Sequence, residues 1–527
     1  MKKIIFYFMV LSLTAVATSC KYGFDDTYNA LPDIEIGNVA ETGVVPSQLF
    51  LGEVLKISPQ ITYGSEPAAE FGFRWYKQYS NSLKLISEDP VLNYALDSLG
   101  VWTIRLEVTN KVTQVTAAST VSFTVISRSE RGWYILKETS SGNTDMDLVR
   151  MTQEGEVDGN EYNLLAKTGN ELAGKPVGLS FVYNYNWKEP GTSYFTSYIS
   201  TIMPISQKGL ATFRMRDEWV LESNKKMFFD DNDGNNNSLT GGITSPIQSL
   251  IVNNHKAHLM VQGMQAFLPV IPGAYSLSPY FTITDGTNPY MLGFDEQSHS
   301  FVFITARAAS LSTFPDAYLP ENYKISSNNM NGTLSFMENT DGSLNPDTLY
   351  QQRAYALFHE TTRTDRCILL GLDLAQIDPL QSEFGATKYS PIMYADTISY
   401  ARVPALKTAT LFAMHKNYPL LYFAQGNKVS SYLIDSKIVN DGILAYPTDE
   451  EVTYLHFYEC LYDTNFRNLL VATYNATAGT YKIYRYVVAG NDITEVGSAF
   501  TGTGRVKTLI YASPNYSYWN NNVYRNY

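Results

Sequence analysis

Apolar and polar residues alternate with a period of two near the start of the chain. Trp102, Ile104, Leu106 and Val108 alternate with Thr103, Arg105, Glu107 and Thr109, the pattern of a half-buried antiparallel strand. Val121, Phe123 and Val125 alternate with Ser122 and Thr124, a second strand. Gly72-Phe73-Arg74-Trp75-Tyr76 predicts a third, with Trp75 at the centre of a sandwich. Short strands with turn signals every 8 to 12 residues or so predict a β-sandwich over residues 33–127.

From residue 131 the pattern changes to paired apolar runs separated by polar or Gly-containing turns. Residues 133–137 pair with 147–151, 199–203 with 210–215, 249–252 with 258–261 and 290–294 with 301–304. Residues 355–359 pair with 367–372, 420–424 with 429–434 and 469–474 with 481–487. These seven candidate hairpins recur about every 56 residues. A four-stranded propeller blade takes about 40 to 50 residues, and 4 to 8 blades close a ring, roughly speaking. The spacing predicts a seven-bladed β-propeller over 131–527, with six or eight blades as neighbouring solutions. A stack of further sandwiches is the rival, but modules of about 100 residues need longer steps. The run Arg505 to Tyr511 is placed to return to the first blade and close the ring. Helical periodicity is scarce. Asp373 to Ile377 is short, and Pro379 ends it.

Composition supports an all-β chain. The 527 residues exceed one compact core. Charged residues are only 17%, while 39 Tyr and 26 Phe supply strand formers. An apolar content of 44% excludes bulk disorder. The net charge of −12 lacks the basic footprint of a nucleic-acid binder.

The first residues read as an address. Met1-Lys2-Lys3 is basic, Ile4 to Leu13 is apolar, and small residues follow. That is the order of a secretory signal, predicted over 1–19, and the apolar run falls short of the ~20 residues of a transmembrane helix. Residues 20–32 are polar and read as a tether. Ala17-Thr18-Ser19-Cys20 resembles the lipobox of bacterial lipoproteins, with Ala17 where Leu is usual. The resemblance implies cleavage before Cys20 and lipid attachment to it. Acyl chains anchor by about 0.8 kcal/mol per buried methylene. Cys367 and Cys460 sit in strand-like runs and read as buried free thiols, although export would permit a disulfide.

The first domain resembles a known family. Phe73-Arg74-Trp75-Tyr76, followed by Gly100-Val101-Trp102-Thr103-Ile104-Arg105-Leu106-Glu107-Val108, is similar to the polycystic-kidney-disease-like (PKD-like) immunoglobulin sandwich. The family's Trp-x-Phe-Gly-Asp-Gly stretch is replaced by Tyr76-Lys77-Gln78-Tyr79. Asp33-Ile34-Glu35-Ile36 and Leu51-Gly52-Glu53-Val54 resemble the PKD-like lipoproteins of Bacteroidetes. This implies an outer-membrane lipoprotein of a nutrient-uptake locus. The implied partners are a TonB-dependent transporter, its lid-like lipoprotein and a glycan or peptide ligand.

Candidate chemistry is sparse. Asp230, Asp231 and Asp233 lie in an Asx-rich run suited to Ca²⁺ or to a solvated turn. It is not an EF-hand, because Gly234 at the sixth position puts Phe229 at the first. His255 and His258 lack a third zinc ligand by spacing. Asp295, Glu296, Glu360 and Asp365 are turn carboxylates open to acid–base roles. Two aromatic–Asn clusters, predicted in loops, are candidate ligand platforms: Tyr183, Tyr185 and Trp187, and Tyr516, Tyr518 and Trp519. No catalytic residue and no cofactor are assigned. The favoured function is a non-catalytic binding module, with a propeller hydrolase or lyase and a protein scaffold as alternatives.

Overall fold

A computed structural model describes residues 33–64, 70–80, 82–152, 155–230, 237–244, 248–261, 263–283, 290–304, 311–314, 325–340, 353–374, 390–415, 418–458, 468–489 and 492–512. The chain divides into two compact units, 1–126 and 127–527.

In the first unit a five-stranded sheet runs in the order Gln48–Phe50, Thr116–Ile126, Gly100–Asn110, Phe71–Tyr79, Ser82–Ser87. Two strand pairs, Ile34–Gly37 with Gln60–Tyr63 and Val54–Ile57 with Leu92–Ala95, pack against it. The alternation read from the sequence is the reason. Trp75, Trp102, Ile104, Leu106, Val108, Phe123 and Val125 all enter one core with Leu55, Ile57 and Leu92. Both indoles also satisfy their N–H groups, Trp75 Nε1 on the Asp89 carbonyl at 2.9 Å and Trp102 Nε1 on the Ser98 carbonyl at 2.8 Å. Gly100 opens its strand at φ +113°, a left-handed value that disfavours any side chain. Together these are the features of a small β-sandwich.

The second unit begins with a short 3-10 turn, Arg128–Glu130, closed by a capping box on Ser127. Seven antiparallel sheets follow among the described residues. The second to seventh sheets start with Pro176–Lys188, Leu239–Thr244, Thr282–Ile283, Gly332–Thr340, Leu411–Met414 and Glu450–Tyr458. The first sheet is built from both ends of the unit. Arg505–Ala512 lies beside Gly132–Glu138, which continues to Thr144–Met151 and Val157–Glu161. Ile135 faces Leu509 and Trp133 faces Tyr511 across that closing ladder. The closure expected from residues 505–511 is therefore present.

Seven apolar clusters hold the sheets face to face, one between each consecutive pair, the last joining the seventh sheet to the first. Their first strands also meet in sequence. Pro176–Lys188 touches Arg505–Ala512 and Leu239–Thr244, and Glu450–Tyr458 touches Leu411–Met414 and Arg505–Ala512. This is a β-propeller. All seven hairpins expected from the apolar runs are present, and each forms the second and third strands of its sheet. Those strands are covered on both faces by neighbouring sheets, so they read as continuous apolar runs.

One expectation needs correcting. Residues 183–187 lie in the strand Pro176–Lys188 rather than in a loop. Its ladder to Phe195–Ser206 is broken by register shifts between Val182 and Tyr185 and between Tyr185 and Trp187. The Asn residues that suggested a turn sit at those irregularities.

Candidate functional site

The fold brings three first strands together at one end. Glu338, on Gly332–Thr340 of the fifth sheet, is only 6% exposed. Its Oε2 accepts the Met414 backbone N–H of the sixth sheet at 2.8 Å. Its Oε1 lies 3.2 Å from His456 Nδ1 of the seventh sheet. One carboxylate thus ties three consecutive sheets. Burial and the charge of Glu338 together push the Tyr454 hydroxyl well above its ordinary pKa.

Next to Met414, the His415 ring stacks 4.1 Å from Phe457 and 4.8 Å from Tyr418. His415 and Tyr418 also line a cleft of about 300 Å³ between the sixth and seventh sheets. Its walls are largely aliphatic: Leu420, Leu433, Ile443, Val488 and Ile493. Asp435, Ser436 and Asn440 add polar groups. Tyr422 lines it too, at 1% exposure, and among the described residues its hydroxyl has no hydrogen-bond partner. Burial holds that hydroxyl protonated far above its usual range.

The residues singled out in the sequence fall elsewhere. Tyr185 is fully buried, and its hydroxyl donates to the Gln265 carbonyl at 2.7 Å. It is a core residue with no face for a ligand. Trp187 is partly exposed, near Glu222 Oε1 at 3.3 Å and beneath the Arg214 guanidinium at 5.7 Å. The Tyr183 side chain lies outside the described residues, as do Cys20, Asp231, Asp233, Cys460, Tyr516, Tyr518 and Trp519. Asp230 is exposed, and no group of metal-ligating side chains occurs among the described residues. His258 is buried, with Nδ1 3.0 Å from the Leu268 carbonyl.

Two of the turn carboxylates have structural partners. Asp295 accepts the Ser276 N–H at 2.7 Å and the Ser298 hydroxyl at 2.5 Å. Glu360 pairs with Arg366. Among the described residues Cys367 is buried and free, and burial pushes its thiol up to about 12. It is a poor nucleophile there.

Sequence reasoning assigns no role to His415 or His456 and misses Glu338 and Tyr422. Glu338 and His456 come from different sheets, and no local spacing marks them.

Residues 24–176 match the PKD-like family. The match spans the sandwich and continues through the first sheet's three N-terminal strands. No curated protein matches the chain in sequence. Among solved structures, a quinonprotein alcohol dehydrogenase-like protein of Bacteroides thetaiotaomicron aligns at 12% identity and a TM-score of 0.38, over 92% of this chain and 99% of its own. A putative 6-phosphogluconolactonase of Bacteroides uniformis aligns at 9% identity and a TM-score of 0.29, over 84% and 99%. The WD40 domain of SCAP from fission yeast aligns at 7% identity and a TM-score of 0.33, over 64% and 74%. The chain is thus similar to the PKD-like family over its N-terminal part.

Proposed function

We propose that this chain is a lipoprotein of the outer membrane, held through Cys20, that binds a glycan or peptide without transforming it. It works beside a TonB-dependent transporter and that transporter's lid-like lipoprotein. The leader and Cys20 support the address, and the PKD-like match supports the family of surface modules. One observation carries the binding role: the cleft between the sixth and seventh sheets, a concave, mainly apolar site with a few polar groups.

The full chain and its Cys20→Ala variant test the address. The wild type sediments with outer membranes, and the variant is released. Equal fractionation of the two overturns the anchor. Binding to glycan and peptide panels tests the role, and a blank panel overturns it.

Catalysis is a second reading, favoured by the Glu338–His456 pair. A carboxylate beside an imidazole can move a proton. Product release from the same panels, lost in Glu338→Gln, supports it, and unaltered substrates reject it.

A further inference from the structure

The walls of the cleft between the sixth and seventh sheets restrict what enters it. We propose that it takes a small apolar molecule or group carrying one hydrogen-bond acceptor, with the acceptor paired to the Tyr422 hydroxyl. This rests on the binding-module reading and narrows it.

First, the volume of about 300 Å³ sits at the lower end of ligand cavities, enough for a two-ring body. Second, Leu420, Leu433, Ile443 and Ile493 keep part of their surface uncovered and offer no hydrogen bond. Hydroxyls facing those four side chains would be left unpaired, so the apolar face of a ligand lies on them and its polar groups turn toward Asp435, Ser436 and Asn440. An apolar body loses nothing there and removes exposed aliphatic surface from water.

Third, Tyr422 lines the cleft and its hydroxyl has no partner among the described residues; because water does not reach it in the unliganded fold, an acceptor pairs with it only as the side chains around it shift. Buried polar groups are nearly always paired. A phenol can donate to an incoming carbonyl, whereas a ligand without an acceptor leaves it orphaned. At the same wall the His415 ring packs against Phe457 and Tyr418, and Tyr418, at 59% exposure, keeps much of its ring open toward solvent.

Prodan, a neutral naphthyl ketone whose emission moves to the blue in apolar surroundings and to the red when its carbonyl accepts a hydrogen bond, is the probe. Titrated into the full chain, it is expected to bind once per molecule with blue-shifted emission. Leu433→Trp or Ile443→Trp fills the cleft and abolishes this signal. Met330→Trp, in a separate cleft near Phe358 and Ile368, leaves it unchanged. Tyr422→Phe weakens binding roughly 2- to 10-fold, the range of one hydrogen bond, and moves the bound emission further to the blue.

Circular dichroism verifies that each variant is folded. Prodan binding that survives both tryptophan variants overturns the cleft assignment. Binding and emission unchanged in Tyr422→Phe overturn the acceptor. Absence of prodan binding, alongside retained binding on the glycan and peptide panels, removes this inference and leaves the binding-module reading standing.

Discussion

The Tyr481 hydroxyl donates to Asp147 Oδ2 at 2.8 Å, joining the seventh sheet to the first. Lys137 Nζ lies 2.7 Å from the same carboxylate, and the Asn163 N–H reaches its other oxygen at 2.8 Å. Lys137 and Asp147 are each 1% exposed. Removing Tyr481's hydroxyl leaves the ion pair one hydrogen bond short, whereas removing Asp147's carboxylate takes the ion-pair partner from a buried ammonium. Tyr481→Phe is expected to cost about 1.5–3 kcal/mol and Asp147→Ala about 3–5 kcal/mol. Denaturant unfolding of both variants checks the order. Equal costs, or a costlier Tyr481→Phe, would refute it.

Leu509 sits on the closing strand, 1% exposed in the cluster between the seventh and first sheets. Leu509→Ala removes core contacts and the side chain facing Ile135, for about 2–5 kcal/mol. Trp75→Ala in the sandwich core is expected to cost a similar ~3–5 kcal/mol. Each unit has its own core, so calorimetry should show Leu509→Ala lowering the propeller transition and Trp75→Ala the sandwich transition. A shift of both by either variant contradicts separate cores.

Arg505 grips Glu451 through two bonds, at 2.6 and 3.1 Å. That grip holds the Glu451 carboxyl below its ordinary 4.5. A depressed carboxylate stabilises the fold above its unfolded value, and the contribution is lost as pH falls through the folded one. Wild type should therefore exceed Glu451→Gln in melting temperature above pH 4.5, and the margin should narrow as the solution is acidified below it. A margin that is constant or grows in acid would count against the pairing.

The Tyr422 hydroxyl makes no bond among the described residues, so without ligand it lowers stability. Tyr422→Phe is expected to raise the melting temperature, with an upper bound of about 1–3 kcal/mol from the relieved desolvation. A lower melting temperature would show that the hydroxyl already has a partner.

The hairpins were legible for a physical reason. Gln248–Asn253 and Met291–Asp295 are buried at every position, because sheets cover them on both sides. Such strands appear in sequence as unbroken apolar runs. Thr282–Ile283 and Ser312–Thr313 are too short to leave a pattern. Tyr183 to Trp187 misled in the other direction. Tyr and Asn alternate there with the period of a strand, but Asn favours turns, and the propensity outweighed the period.

The candidate site was hidden for a different reason. Glu338, Met414 and His456 belong to three sheets and meet only because their first strands converge at one end. Leu433 and Ile493 likewise become facing walls only when the sixth and seventh sheets pack. By itself the sequence determined what burial period and composition encode: an all-β chain, a sandwich core around Trp75 and Trp102, and seven central hairpins. Tertiary structure alone decided which polar groups are brought together and which hydroxyl is left without a partner. Hydrophobic periodicity is a local property of neighbouring residues, whereas a site is a coincidence of distant ones that exists only after the sheets have packed.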